Sequence, residues 1–131
     1  MKSELVLVDT TIWVKFLRGL EIGVRDRLSA WIREEKVCIN EIILLEILKG
    51  ARSDREYNLL RDDFSALRLL NIIPAVWELA GNASNKLRKR GIDVPLTDVL
   101  ISATALHYRC RLWHDDKHFN LISGHTPLKT L

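Results

Sequence analysis

Apolar residues along this chain alternate between two kinds of pattern. Four short segments are dense in apolar side chains, as strands buried on both faces of a sheet are. They are LVLV at residues 5–8, ended by Asp9; KVCI at 36–39, which follows a charged helical stretch and stops at Asn40; LRLLNII at 67–73, ended by Pro74; and CRLWH at 110–114. Between them the apolar spacing changes to three and four. Asn40 is placed to cap a helix over Glu41–Lys49, with Gly50 closing it. Leu59, Leu60, Phe64 and Leu67 recur at helical spacing in a helix over 54–67, and a helix over 75–90 ends in KLRKRG with Gly91 as its C-cap. Pro95 and Thr97 open a further helix from about 98 to 108, with Val99, Leu100, Ala103 and Leu106 on its apolar face. Strands alternating with helices imply parallel βα units with right-handed crossovers and helices on both faces of one sheet. The expected class is α/β, without linker, repeat or low-complexity segment.

Composition narrows this little further. At 131 residues and 47% hydrophobic content the chain has the size of one domain and can bury a core without disulfides or a structural metal. Cys38 and Cys110 lack the close spacing of a zinc site or a redox motif and read as reduced core residues, which suits a cytoplasmic protein. The run LVLV is too short for a signal peptide or a membrane span. A net charge of +3 is mildly favourable for a polyanionic partner.

Candidate chemistry comes from the positions of the carboxylates. Ligands of open parallel sheets bind beyond the carboxyl ends of the strands, where Asp9 and the pair Asp115 and Asp116 fall. Glu46 interrupts the apolar helix IILLEILKG; Lys49 at i+3 is one partner for it, and a cavity beside Gly50 is the alternative. Asp98 belongs to the first turn of its helix, where it complements the dipole and also faces the same rim. Two like charges ~4 Å apart repel by about 4 kcal/mol at an effective dielectric near 20, so four converging acids call for a cation. Oxygen donors without His or Cys favour Mg²⁺ or Mn²⁺. Such an ion lowers the pKa of bound water and neutralises a phosphoryl group.

These segments resemble the PIN-domain family, and within it the VapC-type toxin ribonucleases. LVLVDTTIWVKFLRG is similar to the family's opening strand with its aspartate; INEIILLEILKGAR to its glutamate-bearing helix; VPLTDVLISATAL to its third acidic motif; and LWHDDKHFNLI to its fourth, where an aspartate precedes a phenylalanine by three positions. The motifs run in the family's order from residue 5 to 122. The resemblance implies a single PIN domain over 1–131, with a three-layer α/β/α fold and a central, mostly parallel sheet of four to five strands. It also implies metal-dependent endoribonuclease activity with Mg²⁺ or Mn²⁺, catalytic and metal-binding roles for Asp9, Glu46, Asp98 and Asp116, an RNA substrate, a homodimer and a VapB-like antitoxin partner. Spacing to Phe119 favours Asp116 over Asp115. Thr11 matches a frequent family hydroxyl that could orient a metal-bound water. His114 stands where the family commonly has threonine or serine, which raises the prospect of pH sensitivity near neutrality.

Weaker signals surround these. Lys15, Arg18, Lys49, Arg52 and Lys117 are close in sequence to the acids and are candidates for phosphate contact. The basic run at 86–90 reads first as a solvated helix end. Trp13, Trp31, Trp77 and Trp113 have neighbours typical of core or interface packing, and the WVKFLRG segment with the helix over 54–67 is a candidate antitoxin surface. A haloacid-dehalogenase-type phosphatase would need a second aspartate where Thr11 stands, and a receiver domain would need a phosphoacceptor aspartate that LLNIIP lacks. The remaining alternative is a non-catalytic PIN-like module that binds RNA or protein; retention of four mutually repelling acids argues against it.

Overall fold

A computed structural model describes residues 4–131. The order is β1 (Val6–Val8), α1 (Thr10–Arg18), α2 (Ile22–Arg33), β2 (Val37–Ile39), α3 (Glu41–Lys49), α4 (Asp54–Phe64), β3 (Arg68–Leu69), α5 (Pro74–Lys89), α6 (Leu96–Tyr108), β4 (Arg111–Trp113) and α7 (Lys117–Ser123). All strand pairings are parallel, in the order β3-β2-β1-β4. Beyond β4, Thr130 makes a single parallel bridge to Leu112, a rudimentary fifth strand. The expected three-layer α/β/α sandwich is thus observed.

The sheet and its helices enclose one core. Val8, Leu7, Ile39 and Leu112 are essentially inaccessible, as their continuous apolar pattern requires. Cys38 and Cys110 are buried free thiols. Eight consecutive residues of α6, from Asp98 to Ala105, are buried. A helix buried on all sides carries its one acidic residue into the interior, and this is what places Asp98. Trp13 and Trp113 are core residues, Trp31 packs edge-on against Trp113 at 5.3 Å, and Trp77 is exposed. Among the described residues no helix is long and apolar enough to cross a membrane.

Two boundaries differ from expectation. The third strand was expected over 67–73 but pairs only at Arg68 and Leu69, because the Ile72 N–H is taken by the Glu41 carboxylate at 3.0 Å instead of a neighbouring strand. The helix expected over 54–67 stops at Phe64, with Ser65 as its C-cap.

Candidate metal centre

Two strand-to-helix turns build the rim. At the first, β1 ends at Val8 and Asp9 becomes the N-cap of α1 in extended backbone. Its Oδ2 accepts the Thr11 N–H at 3.1 Å and the Thr11 hydroxyl at 2.7 Å. The Asp9 N–H donates to the Trp113 carbonyl at 2.9 Å, tying this turn to β4. Asp9 is only 3% exposed. Burial pushes its carboxyl above the ordinary carboxylate range, and the bonds from Thr11 pull the other way.

At the second turn β4 ends at Trp113, and Asp116 caps α7 by accepting the His118 N–H at 2.9 Å. The Asp116 N–H in turn donates to Nδ1 of His114 at 3.2 Å. The histidine therefore provides an acceptor at the position where threonine or serine is usual. Burial lowers its pKa from 6.5, so the pH sensitivity near neutrality expected of His114 moves to more acidic conditions. Asp115 takes a different course. Its carboxylate pairs with Lys15, which holds it below the usual range, and its N–H donates to the Thr11 hydroxyl at 3.0 Å.

Thr11 is accordingly committed to the protein: its hydrogen goes to Asp9 and it accepts from Asp115. Its hydroxyl thus braces Asp9 against the turn that follows β4. Lys15 also pairs with Glu21 at 2.9 Å, so this candidate phosphate contact is engaged by two carboxylates.

Two helices supply the remaining acids. Glu46 on α3 accepts the Thr10 hydroxyl at 2.8 Å, so of the two alternatives for this acid the ion pair with Lys49 is not the one formed, and its hydrogen-bond partner is a residue 36 positions away. Burial raises the Glu46 carboxyl, and the charge of Asp9 adds to it. A Cβ at Gly50 would meet only carbonyls of its own helix, so that glycine does not create the space beside Glu46. Asp98, in the first turn of α6, has its pKa raised to about 6 by burial and then by the charges of Asp116, Asp9 and Glu46, with His118 opposing.

Asp9, Glu46, Asp98 and Asp116 together line one cavity of about 460 Å³, with Asp115 at its edge. One neighbour was not foreseen. His118 Nδ1 lies 3.2 Å from Asp98 Oδ2 and 3.2 Å from Asp116 Oδ1, and the three donor atoms lie within 4.8 Å of one another. This ring nitrogen is buried and makes no hydrogen bond. The available signal was its place two residues after a capping aspartate, which brings its backbone to that carboxylate. Converging carboxylates with raised pKa values beside an orphaned imidazole nitrogen fit a divalent cation.

A family model described as PIN domain matches residues 6–124. VapC ribonuclease Mb1587 of Mycobacterium bovis is 29% identical over 129 residues, covering 95% of this chain and 96% of the relative. Ribonuclease VapC11 of Mycobacterium tuberculosis gives the same figures. Among solved structures, a DNA-bound VapBC from Salmonella typhimurium superposes with a TM-score of 0.83 at 19% identity, over 98% of both chains. A toxin–antitoxin complex from Klebsiella pneumoniae does so at 0.74 and 25% identity, over 95% of this chain and 98% of that one.

Proposed function

This chain belongs to the PIN domain family, and on that premise we propose that it is a metal-dependent endoribonuclease, the toxin of a toxin–antitoxin pair, acting as a single domain. The observation that carries this reading is the convergence of four acids from β1, α3, α6 and the β4–α7 turn on one cavity, with Asp98 raised to about 6. Close relatives in length named as ribonucleases support it.

Asp9, Asp98 and Asp116 would hold Mg²⁺ or Mn²⁺, and Glu46 completes the set. When bound, the ion acidifies water and neutralises charge on the scissile phosphate, so that hydrolysis leaves a 3′-hydroxyl and a 5′-phosphate. Glu46, fixed by Thr10 and with its carboxyl raised, is suited to receive the proton of the attacking water. Thr11 keeps Asp9 in place, and His114 does the same for the backbone of Asp116.

Partners follow from the same premise. A VapB-like antitoxin is supported by the toxin–antitoxin complexes that share the fold. We assign its docking to the groove of about 690 Å³ lined by Trp13, Phe16, Leu17, Ile32, Phe64 and Leu67, which lies on the surface anticipated from WVKFLRG and α4. Exposed Leu45, Ile73 and Trp77 offer apolar surface for a homodimer. The buried thiols suit the cytoplasm.

The reading is tested by incubating a pool of structured and single-stranded RNA with wild type and Asp98→Asn, each with Mn²⁺ and with chelator. Cleavage by metal-loaded wild type alone is expected. RNA retained without cleavage, with no Mn²⁺ bound, would instead identify a non-catalytic RNA-binding module.

A further inference from the structure

We propose that His118 is a direct ligand of the divalent cation, so that Asp98, Asp116 and His118 form a mixed oxygen and nitrogen site that favours Mn²⁺ over Mg²⁺. This rests on the nuclease reading for the presence of a cation, and goes beyond it in naming a nitrogen donor outside the four acids.

Geometry supplies the first argument. Nδ1 stands 3.2 Å from one oxygen of each aspartate. Adjacent donors of an octahedral ion with bonds of about 2.1–2.2 Å are separated by about 3 Å, so Nδ1 already stands at the spacing of a neighbouring ligand from each of the two oxygens.

A simple ion pair does not account for the ring. Although both carboxylate oxygens are near, neither contact has hydrogen-bond geometry, and Nδ1 remains buried without a partner. An unpartnered buried nitrogen costs free energy that bonding to a metal would recover. The ring is also held in place. The His118 N–H is bound to Asp116 Oδ1, while Phe119 and Ile122 anchor α7 in the core at 0% exposure. With 31% of its side chain exposed, His118 borders solvent, which gives an ion a route in.

His114 is the rival nitrogen donor. Its Nδ1 already accepts the Asp116 N–H, and although its Nε2 is buried and unpartnered, it is not part of the cluster of three donors. Imidazole nitrogen suits the first-row transition ions, whereas Mg²⁺ prefers an all-oxygen shell. Replacing one oxygen donor by nitrogen therefore moves the preference towards Mn²⁺.

The test uses the full chain without a histidine tag, loaded with Mn²⁺ and examined by electron spin-echo envelope modulation, which detects a directly bound ¹⁴N. Wild type and His114→Gln are expected to show the nitrogen modulation and His118→Gln to lose it. His118→Gln should also bind Mn²⁺ about tenfold more weakly, with Mg²⁺ affinity changed less than about threefold. Bound Mn²⁺ without modulation in wild type, or modulation surviving in His118→Gln, would overturn the inference while leaving the four-carboxylate nuclease intact. Failure of wild type to bind Mn²⁺ any better than Asp98→Asn would overturn both.

Discussion

The turns after β1 and β4 are the same device used twice, with different degrees of freedom. In each, a parallel strand ends, an aspartate in extended backbone caps the following helix, and its carboxylate accepts the N–H two residues on. After β1 that second residue is Thr11, whose hydroxyl also binds the carboxylate, and Asp9 is buried. After β4 it is His118, whose ring turns to the same carboxylate without a hydrogen bond, and the Asp116 side chain is 28% exposed. One carboxylate is braced by the protein; the other is left open to an incoming ion. Thr11 joins the two turns by accepting the Asp115 N–H. The contrast suggests that a site needs both a fixed ligand and an adaptable one.

The largest effect should come from the braced side. Asp9→Asn removes a charge but keeps an acceptor for Thr11, so RNA cleavage is expected to fall by roughly 10³-fold or more, corresponding to several kcal/mol of lost transition-state stabilisation. The same variant, free of metal, should melt no lower than wild type, because repulsion with Asp98 and Glu46 is relieved. Circular dichroism showing an unfolded variant would contradict this.

Next in size is a pH effect on stability. The Asp98 carboxyl, raised to about 6 from 3.8, binds its proton more tightly in the folded than in the unfolded chain. Stability of the metal-free protein should therefore fall as pH rises from about 4 to 6, by about 2 kcal/mol from this group, and then level off. Denaturant titrations across that window should show a steeper slope in wild type than in Asp98→Asn, where the raised carboxyls of Asp9 and Glu46 still contribute. Added Mn²⁺ at pH 7 should restore the loss by mass action.

Thr11→Val separates bracing from ligation. It preserves shape but removes the hydroxyl that donates to Asp9 and accepts from Asp115. A loss of about 1–2 kcal/mol in stability and about tenfold in cleavage is expected, with metal affinity reduced less than in Asp98→Asn. The smallest effect belongs to Asp115→Asn. Its pair with Lys15 is at the surface, so cleavage and melting temperature should be unchanged within error, whereas Asp116→Asn should be severely impaired.

Much of this was legible because strand ends and helix starts are marked by short-range chemistry. LVLV before Asp9, and LW two residues before the Asp115 and Asp116 pair, position those acids by the alternation of strand and helix alone. The apolar run VLISATA dictates a buried helix, and Asp98 follows from it. What escaped depended on contacts across the fold. Glu46 is held by Thr10 and not by its helical neighbour Lys49, and no local pattern encodes a partner 36 residues distant. The third strand is cut short by the Glu41 side chain, which competes for the Ile72 N–H from a different element. His118 was not foreseen, because only the docking of α7 beside the start of α6 brings its ring between two aspartates.

The central claim is hydrolysis at a carboxylate-held cation, and the ends of the cleaved RNA test it most directly. Fragments from wild type with Mn²⁺ should carry 5′-phosphates and 3′-hydroxyls, ligatable without prior treatment, and Asp98→Asn should yield none. Fragments with 5′-hydroxyls and 2′,3′-cyclic phosphates, formed equally by both proteins in chelator, would contradict it, because they would mean that the RNA's own 2′-hydroxyl is the nucleophile and that the acidic rim takes no part.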